Sequence, residues 1–441
     1  MDFKNKKITL MGLGLLGRGV GDAAFFAEAG ADLTVTDLKS EKDLASSLET
    51  LKKYNNIKFV LGEHRLEDFR NADLVIKAAG VPLDSPFIAE AENNGVPVKM
   101  STQIFAENTK ATIVGVTGTR GKSTVSYLLH AILNEHFKNS DHAVFLGGNI
   151  LGVSTIDFLN KTKSGDVVVL ELDSWQLQGF KNFSPHVAVF STFMRDHLNY
   201  YGGSMERYFA DKANIYRSQK PEDALVVSEQ VMGYIEKFGP KPVSKVIVAS
   251  VSDVPHTWKI NIPGDHNKLN IALAIAVAKA MGIPEKTVEI AVANFTAPPG
   301  RLEKIRSING VDIYNDTNST TQEATIAGLE ALGKDKKTVL IFGGADKKLE
   351  VDQLFLILPS YAKALVVLPG TGTDKMKDKL AEISKETPVI FVQSMSEAVV
   401  EALKVAQEGD RILMSPAFAS FGLFKNEYDR GDQFNAAVGK V

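Results

Sequence analysis

Short apolar runs alternate with segments of helical periodicity along the whole chain. In the N-terminal part, runs typical of strands occupy residues 7–12, 32–36, 58–61, 74–78 and 96–99, and a helical pattern runs through residues 23–29. Neighbouring parallel strands need a crossover connection, which is usually a helix. The alternation therefore predicts an α/β fold built on parallel sheets.

The same alternation continues beyond residue 108 and predicts two further blocks. In the second block, strands are expected at residues 111–117, 144–146, 166–171, 187–191, 224–228 and 246–250, with helices from about residue 122, over 208–219 and over 266–281. In the third block, strands are expected at residues 311–314, 338–342, 364–368, 388–392 and 411–414. An Ala-Pro-Pro-Gly stretch at residues 297–300 separates the two blocks, because two prolines cannot continue a helix or a central strand. We predict three domains, at residues 1–108, 109–299 and 300–441.

Composition describes an ordinary globular chain and removes several chemistries. Of 441 residues, 44% are hydrophobic and 23% charged, and a net charge of −3 gives no overall attraction for nucleic acid or an anionic membrane. Cysteine is absent, which excludes disulfides, thiolate zinc sites, iron–sulfur clusters and cysteine nucleophiles. No apolar stretch approaches the roughly 18 residues of a membrane span. The apolar residues 8–17 contain three glycines and end at Arg18, which argues against a signal peptide. We expect a cytoplasmic protein without nucleic-acid or membrane partners.

A phosphate-binding loop is the strongest motif. Between a predicted strand and a predicted helix lie Thr117, Gly118, Thr119, Arg120, Gly121, Lys122, Ser123 and Thr124. Glycines let backbone N–H groups surround phosphate oxygens, and the helix N-terminus adds partial positive charge. Lys122 can reach the β- and γ-phosphates, and the Ser123 hydroxyl can bind Mg²⁺. The position five residues before Gly121 is Val116 rather than glycine, so the loop is shorter than the general NTPase pattern.

A second glycine motif follows the first predicted strand. Residues 12–17 read Gly-Leu-Gly-Leu-Leu-Gly, and Asp37 ends the second strand 20 residues after Gly17. The pattern is typical of a dinucleotide fingerprint with an acidic residue near a ribose hydroxyl. It suits NAD, and thus an oxidoreductase, or another ribose-diphosphate ligand such as a UDP-sugar. A tight turn that allows close helix packing is the alternative.

Several single residues are candidates whose residue type suits phosphate chemistry. Glu171 ends an apolar strand, where a carboxylate faces the ligand crevice and can hold Mg²⁺. His197 follows Asp196 after another strand, and Lys212 lies in a helix; a lone histidine is more often structural and a lone helical lysine is usually solvated. Later in the chain, Asn267 and Asn270 share one helix face and either contact a nucleotide or cap the helix. Beyond the proline stretch, Arg301 is suited to neutralise developing phosphate charge.

Taken in order, these motifs resemble the Mur ligase family over essentially the full length. The resemblance rests on residues 12–17, 117–124, 147–150, 171–177, 196–197, Lys212, 264–270, 300–303, 315–316, 343–347, 415–420 and 430–431. It implies a Rossmann-like N-terminal domain, a central P-loop ATPase-like domain and a Rossmann-like C-terminal domain. It also implies an ATP-dependent amide ligase acting on UDP-N-acetylmuramoyl-L-alanine in peptidoglycan precursor synthesis. The Ser-Pro-Ala-Phe-Ala-Ser run at 415–420 favours D-glutamate as the second substrate. A monomer is expected.

The resemblance also implies roles for individual residues. Lys122, His197, Lys212 and Arg301 would be catalytic. ATP would contact Gly118, Thr119, Arg120, Gly121, Lys122, Ser123, Thr124, Asn267, Asn270, Arg301 and Asp316. The UDP substrate would contact Gly14, Leu15, Leu16, Gly17, Asp37, Asn149 and Gln176, and D-glutamate would contact Thr320, Lys347 and Ser420. Mg²⁺ or Mn²⁺ would be held by Ser123, Glu171, His197 and Lys212 as its carbamate.

The sequence departs from the family pattern at a few positions. Arg120 replaces the usual Asn, Leu38 a hydroxyl residue and Asn318 a Lys, and residues 421–424 (Phe-Gly-Leu-Phe) replace Leu-Asp-x-Phe. The last changes lie near the implied amino-acid pocket, so a Mur-type or folylpolyglutamate-like ligase with another amino acid is the near alternative. The remaining alternatives are the NAD-dependent oxidoreductase and a catalytically silent UDP-sugar-binding protein.

Overall fold

This computed structural model describes residues 2–348 and 350–441. These residues contain three β-sheets, each packed against helices. The predicted α/β class is confirmed. The chain divides into two compact units: residues up to 256 together with 269–291, and residues 257–268 together with 292–441. The first two sheets belong to the first unit and the third sheet to the second unit. The domain boundaries near residues 108 and 299 stay predictions.

The first sheet has five parallel strands in the order β3-β2-β1-β4-β5. Its elements are β1 Lys7–Met11, α1 Arg18–Glu28, β2 Asp32–Asp37, α2 Ala45–Leu51, β3 Ile57–Leu61, α3 Leu66–Arg70, β4 Leu74–Lys77, α4 Pro86–Asn93, β5 Val98–Lys99 and α5 Ser101–Asn108. The strand order reverses between β1 and β4, and at such a point the loops after the strands part to form a crevice. Residues 12–17 lie at this switch point.

The second sheet has six parallel strands in the order β11-β10-β9-β6-β8-β7. Its elements are β6 Thr112–Thr117, α6 Lys122–Phe137, β7 Val144–Gly148, a 3₁₀ helix Thr155–Asn160, β8 Val167–Glu171, α7 Ser174–Leu177, β9 Val187–Phe190, α8 Met205–Arg217, β10 Ala224–Ser228, α9 Glu229–Phe238 and β11 Lys245–Ala249. A short 3₁₀ helix Val251–Asp253 and helices α10 Asp265–Ala280 and α11 Glu285–Asn294 follow. The central strands β6, β8 and β9 are almost completely buried, which explains their continuous apolar sequences.

The third sheet has the order β12-β13-β17-β14-β15-β16. Its elements are β12 Glu303–Ile308, β13 Val311–Asn315, α12 Gln322–Leu332, β14 Thr338–Gly343, α13 Asp352–Tyr361, β15 Ala362–Leu368, α14 Thr371–Lys375, α15 Lys377–Ile383, β16 Val389–Phe391, α16 Met395–Val405, β17 Arg411–Met414 and α17 Glu427–Val438. Strand β12 was not predicted, and it pairs antiparallel with β13 at the edge of the sheet. Its sequence, Glu-Lys-Ile-Arg-Ser-Ile, has the charges of an exposed edge rather than the apolar run of a central strand.

Predicted and observed strands otherwise agree to within two residues at each end, and β10 and β17 agree at both ends. Helix α1 begins at Arg18, five residues before the predicted helical pattern. Across the described residues, no helix is both long and apolar enough to cross a bilayer.

Candidate active site

The loop after β6 has the conformation that its glycines predict. Gly118 and Gly121 have φ values of +147° and +86°, in the region that favours glycine. A Cβ at Gly118 would lie 2.1 Å from the Ser191 hydroxyl oxygen, and one at Gly121 would lie 2.5 Å from Asn270 Oδ1. Both positions therefore require glycine for space as well as for backbone conformation. The N-terminus of α6 follows at Lys122, so backbone N–H groups and the helix end meet at this loop.

Segments after the neighbouring strand hold the loop in place. The Thr119 backbone N–H donates to Thr192 O at 2.7 Å, and the Arg120 N–H donates to the Thr192 hydroxyl at 2.9 Å. The Ser191 hydroxyl donates to the carbonyl oxygens of Thr117 and Arg120. Ser191 and Thr192 were not singled out from the sequence, although their place directly after β9 put them at the same sheet edge as the loop.

Two lysines converge on the loop. Lys122 Nζ donates to Gly118 O at 3.0 Å and to Thr119 O at 3.3 Å. Lys212 Nζ, from helix α8, donates to the same Gly118 O at 2.9 Å. The usual expectation of a solvated helical lysine fails for Lys212, which is only 2% exposed. Burial, and then the charge of Lys122, lower the pKa of Lys212 well below its usual value, which favours the neutral amine.

Asp196 and His197 lie beside the same loop. Arg120 Nη1 donates to Asp196 Oδ2 at 2.8 Å in a partly buried ion pair. Burial alone would raise the pKa of Asp196, but Arg120 and His197 offset it and the pKa is lowered. Burial lowers the pKa of His197 despite the opposing charge of Asp196, and the charges of Lys122 and Arg120 lower it further. The lowered pKa favours the neutral imidazole, which is the form that binds a metal. The centroid of the His197 ring lies 4.6 Å from that of the Trp175 ring.

Glu171 has a buried carboxylate oxygen that lacks a hydrogen-bond partner. It ends β8, pairs in register with Val116 of β6, and is 3% exposed. Its Oε2 is buried without a hydrogen-bond donor. A buried carboxylate oxygen without a donor is costly, and a bound cation is one group that satisfies it. Ser123, on the first turn of α6, offers a hydroxyl oxygen of the kind that Mg²⁺ prefers, and the His197 imidazole offers a nitrogen donor.

A metal cage made by the protein alone is not found among the residues at 2–348 and 350–441. No three His, Asp or Glu side chains there are grouped so that they could hold an ion together. Mg²⁺ usually takes one or two carboxylates and completes its shell with water and substrate phosphates. A site built on Glu171 beside a phosphate loop is of that open kind.

The switch-point crevice of the first sheet carries the residues expected for the UDP substrate. Asp37 is 6% exposed, and its two carboxylate oxygens accept from the backbone N–H groups of Gly14 and Lys39, each at 2.9 Å. Gly17 is left-handed with φ +85°, whereas Leu15 and Leu16 are about half exposed. Asp37 thus shapes the turn and also lies where a ribose ligand is expected.

Asn149 and Gln176 differ in their exposure to solvent and in their side-chain hydrogen bonds. Asn149 is partly exposed, and its Oδ1 accepts from Arg18 Nη2 at 3.0 Å. Gln176 is 1% exposed, and its side chain is used within the fold: Oε1 accepts from Asp173 N and Nε2 donates to Thr102 Oγ1. Gln176 forms a capping box with Asp173 at the start of α7, a structural role that sequence reasoning missed.

Asn267 and Asn270 both lie on α10 and are almost completely buried. Asn270 lies against Gly121 of the phosphate loop, where its Oδ1 leaves no room for a Cβ. Asn267 Nδ2 donates to Pro263 O at 2.7 Å, near the N-terminus of the helix.

Asp316 is hydrogen-bonded to the residue that follows Arg301. Its Oδ1 accepts from the backbone N–H of Leu302 at 3.0 Å. Burial raises the pKa of Asp316 to about 6.

The three residues expected to contact D-glutamate lie at the carboxyl end of the third sheet. Lys347 Nζ donates to Thr320 Oγ1 at 2.7 Å. Ala345 and Ala419 form an antiparallel bridge, which places Lys347 and Ser420 on adjoining segments. Ser420 is 4% exposed.

Arg430 holds these segments together and was noticed in the sequence only as part of a motif. It is fully buried, and its guanidinium donates to Thr317 Oγ1, Thr317 O and Phe418 O at 3.1, 2.8 and 3.0 Å. Burial lowers its pKa to about 10, so it stays charged at neutral pH.

Three family descriptions match successive parts of the chain. Residues 6–100 match the "Mur ligase MurD-like, N-terminal domain", residues 116–254 the "Mur ligase middle domain", and residues 300–418 the "Mur ligase, glutamate ligase domain". These spans follow the three sheets in order.

Curated relatives and solved structures give the same picture. The UDP-N-acetylmuramoylalanine–D-glutamate ligase of Roseiflexus sp. (strain RS-1) is 36% identical, over 99% of both chains. The enzyme of that name from Clostridioides difficile (strain 630) is 31% identical over the full length of both chains. UDP-N-acetylmuramate-alanine ligase MurC from Thermotoga maritima has a TM-score of 0.64 at 20% identity, over 99% of this chain and all of that one. MurF ligase from the same organism has a TM-score of 0.62 at 18% identity, over 99% and 96%. The two structures show a shared fold.

Proposed function

The chain belongs to the Mur ligase family, and from that premise we propose that it joins D-glutamate to UDP-N-acetylmuramoyl-L-alanine with cleavage of ATP to ADP and phosphate. The observation that carries the proposal for this chain is the convergence of Lys122 and Lys212 on one loop carbonyl, beside the unpartnered carboxylate of Glu171. Family membership also accounts for both glycine loops at once, whereas an NAD-dependent oxidoreductase leaves the loop at 117–124 unexplained.

ATP is expected at the loop after β6. Backbone N–H groups of residues 118–124 and the positive end of α6 would surround its phosphates, and Lys122 would neutralise charge on the γ-phosphate. Asn270 would meet the nucleotide from beside Gly121. Asn267, Arg301 and Asp316 complete the proposed nucleotide contacts. The conformation of the loop and its two buried glycine contacts support this assignment.

The UDP substrate is expected in the crevice of the first sheet. Residues 14–17 would face the diphosphate and Asp37 the uridine ribose, as in other switch-point sites. Asn149 would contact the muramoyl part. We propose that Gln176 also contacts the UDP substrate. Its side-chain amide is already hydrogen-bonded to Asp173 and Thr102, so a substrate contact must be made in addition to these bonds.

Ser123, Glu171 and His197 are the residues that would hold a divalent cation. Mg²⁺ or Mn²⁺ would supply charge neutralisation on the phosphoryl group and orientation of the phosphate oxygens. We further propose that Lys212 carries a carbamate. A neutral lysine amine adds to CO₂ and loses a proton to give an anion with oxygen donors. The burial and lowered pKa of Lys212 support this, because only the neutral amine is nucleophilic.

The reaction proceeds in two displacements. The alanine carboxylate of the UDP substrate attacks the γ-phosphorus of ATP, forming an acyl phosphate as the bond to ADP breaks. The amine of D-glutamate then adds to the acyl carbon, loses a proton and expels phosphate as the amide forms. Lys122 and the loop N–H groups stabilise charge on the transferred phosphoryl group, so positioning and electrostatics provide the catalysis. No protein nucleophile is required.

D-glutamate is expected at Thr320, Lys347 and Ser420. The Lys347 ammonium is suited to a carboxylate, and the two hydroxyls can accept or donate hydrogen bonds. The three proposed domains, 1–108, 109–299 and 300–441, each contain one sheet. All of these residues come from a single chain, so the proposal requires no second copy, and the need for ATP favours a cytoplasmic location.

The proposal is tested by measuring phosphate release with purified protein, Mg²⁺ and an amino-acid panel. We expect release only when ATP, UDP-N-acetylmuramoyl-L-alanine and D-glutamate are all present, with a product whose mass has gained one glutamyl residue. Release supported equally by L-glutamate or by another amino acid would reject D-glutamate specificity. Phosphate release independent of the UDP substrate would reject the ligase function.

A further inference from the structure

The loop that follows β7 is joined to the glycine loop of the first sheet by direct hydrogen bonds. Arg18, the first residue of α1, donates from Nη2 to Asn149 Oδ1 at 3.0 Å. Three residues further on, the Gly152 backbone N–H donates to Leu16 O at 3.0 Å. A Cβ at Gly17 would lie only 3.2 Å from the Cα of Gly152, so the two backbones touch. The two loops expected to hold the UDP substrate are thus fixed in one register.

One turn further along α1, a buried carboxylate fixes the same arrangement. Asp22 Oδ1 accepts from the Ser154 hydroxyl and its Oδ2 from the Ser101 hydroxyl, each at 2.7 Å. Arg18 and Asp22 are four residues apart and therefore lie on one face of the helix. That face is the one turned toward the 149–154 loop.

The bond from Arg18 determines how the Asn149 amide is oriented. Because the guanidinium only donates, it takes the carbonyl end of the amide, and Nδ2 is left as the end available to another group. The Asn149 backbone N–H is also used, donating to Glu171 O at 2.7 Å.

We propose that Arg18 is a substrate-positioning residue, which sets the Asn149 amide to donate to an acceptor oxygen of the UDP-linked sugar and is itself held by Asp22 through α1. The proposal rests on the proposed function for the identity of the ligand. A lone arginine directly after the glycine motif carries no sequence pattern of its own. It gains significance only through its contact with a loop from the second sheet.

The test compares steady-state constants of Arg18→Ala, Arg18→Lys and Asn149→Asp. Arg18→Ala should raise KM for UDP-N-acetylmuramoyl-L-alanine about tenfold or more, because a change of that size corresponds to the loss of a hydrogen bond to a charged group. KM for ATP and kcat should change by less than about threefold, because Arg18 acts on substrate binding alone. Asn149→Asp keeps an acceptor for Arg18 but removes the amide donor, so it should weaken binding similarly. Arg18→Lys should retain part of the affinity, since lysine keeps the charge without the planar fork.

A matched control and a double variant separate positioning from general destabilisation. Arg70→Ala removes an arginine on α3, which packs with the same sheet and whose Nε lies 2.8 Å from Glu90 Oε1, and should leave KM unchanged. Because Arg18 acts through Asn149, the effects of Arg18→Ala and Asn149→Ala should be non-additive. Additive effects, or a KM within about twofold of wild type in Arg18→Ala, overturn the proposal. If Arg18→Ala does not fold, Arg18→Lys and Asn149→Asp decide the question. Failure of the function itself would look different: wild-type protein would not bind the UDP substrate.

Discussion

The amines of Lys122 and Lys212 both donate to the carbonyl oxygen of Gly118, at 3.0 and 2.9 Å. Two ammonium groups sharing one acceptor repel each other, and the buried one carries the larger desolvation penalty. The pKa of Lys212 is therefore lowered well below its usual value, while Lys122, which is only partly buried, remains suited to bind phosphate. The same loop carbonyl thus accepts from two lysines that differ in burial.

Replacing Lys212 with methionine should abolish turnover without unfolding the protein. Methionine fills a similar volume and removes a buried amine whose charged form is disfavoured. We expect an unchanged or higher thermal midpoint, measured by circular dichroism, and no detectable phosphate release. In wild-type protein, ¹³C NMR with labelled bicarbonate should show a carbamate resonance that Lys212→Met lacks. A fully active Lys212→Met, or no resonance in active wild type, would contradict the role of Lys212.

Replacing Lys122 with alanine should lower kcat by about 10²–10³, the usual effect of removing one preorganised donor to developing charge. The fold should persist, because Lys122 is only partly buried and its side chain donates to carbonyl oxygens of its own loop. Lys286→Ala, which removes an exposed lysine paired with Glu289, serves as the control and should retain wild-type kcat. Equal rates for the two variants would show that Lys122 does not bind the reacting phosphate.

The elements and the phosphate loop could be predicted from sequence because their signals are local. A strand, a glycine turn and a helix follow one another within residues 112–137, and Glu171 ends an apolar run that is typical of a buried strand. Strand β12 could not be predicted in this way, because an edge strand needs no apolar run and its partner β13 supplies the pairing.

The contacts that organise the site are long-range, and the sequence does not contain them in readable form. Nothing near Lys212 in the chain indicates that it is buried against Gly118. Arg18 and Arg430 are single arginines whose partners lie on other segments. The resemblance to a family identified Lys212 but said nothing of Arg18, since a family pattern records residue types and not the bonds that position them.

Stability should depend on pH through Asp22. Burial raises the pKa of Asp22 from 3.8 to about 6. Between these two pH values, the folded state therefore holds a proton that the unfolded chain has lost. The contribution of this carboxyl to stability therefore falls as the pH rises from about 4 to about 6 and is constant above that. Over the whole window this amounts to about 3 kcal/mol.

The matching variant is Asp22→Asn, which cannot ionise. We expect its thermal midpoint, relative to that of wild type, to be higher at pH 8 than at pH 5. Circular dichroism melts of both proteins at the two pH values measure this difference. A gap between the two proteins that does not change with pH would mean that Asp22 is not buried as a titrating group.

Arg430→Ala should destabilise the third sheet and its two loops. The change leaves the carbonyls of Thr317 and Phe418 without their donor, at about 1–3 kcal/mol for each buried group. Arg430→Lys keeps the charge but cannot bridge both carbonyls, so it should fold and raise KM for D-glutamate while KM for the UDP substrate stays constant. Wild-type KM values in a folded Arg430→Lys would show that this bridge does not position the amino-acid site.

The central claim is that the triphosphate held beside Lys122 gives its γ-phosphoryl group to a carboxylate of the UDP substrate. It is tested most directly with UDP-N-acetylmuramoyl-L-alanine carrying ¹⁸O in the alanine carboxylate, followed by mass spectrometry of the released phosphate. Formation and aminolysis of an acyl phosphate transfer one carboxylate oxygen to phosphate, so we expect one ¹⁸O atom in each phosphate released with the amide product. Amide formation with unlabelled phosphate would contradict the account.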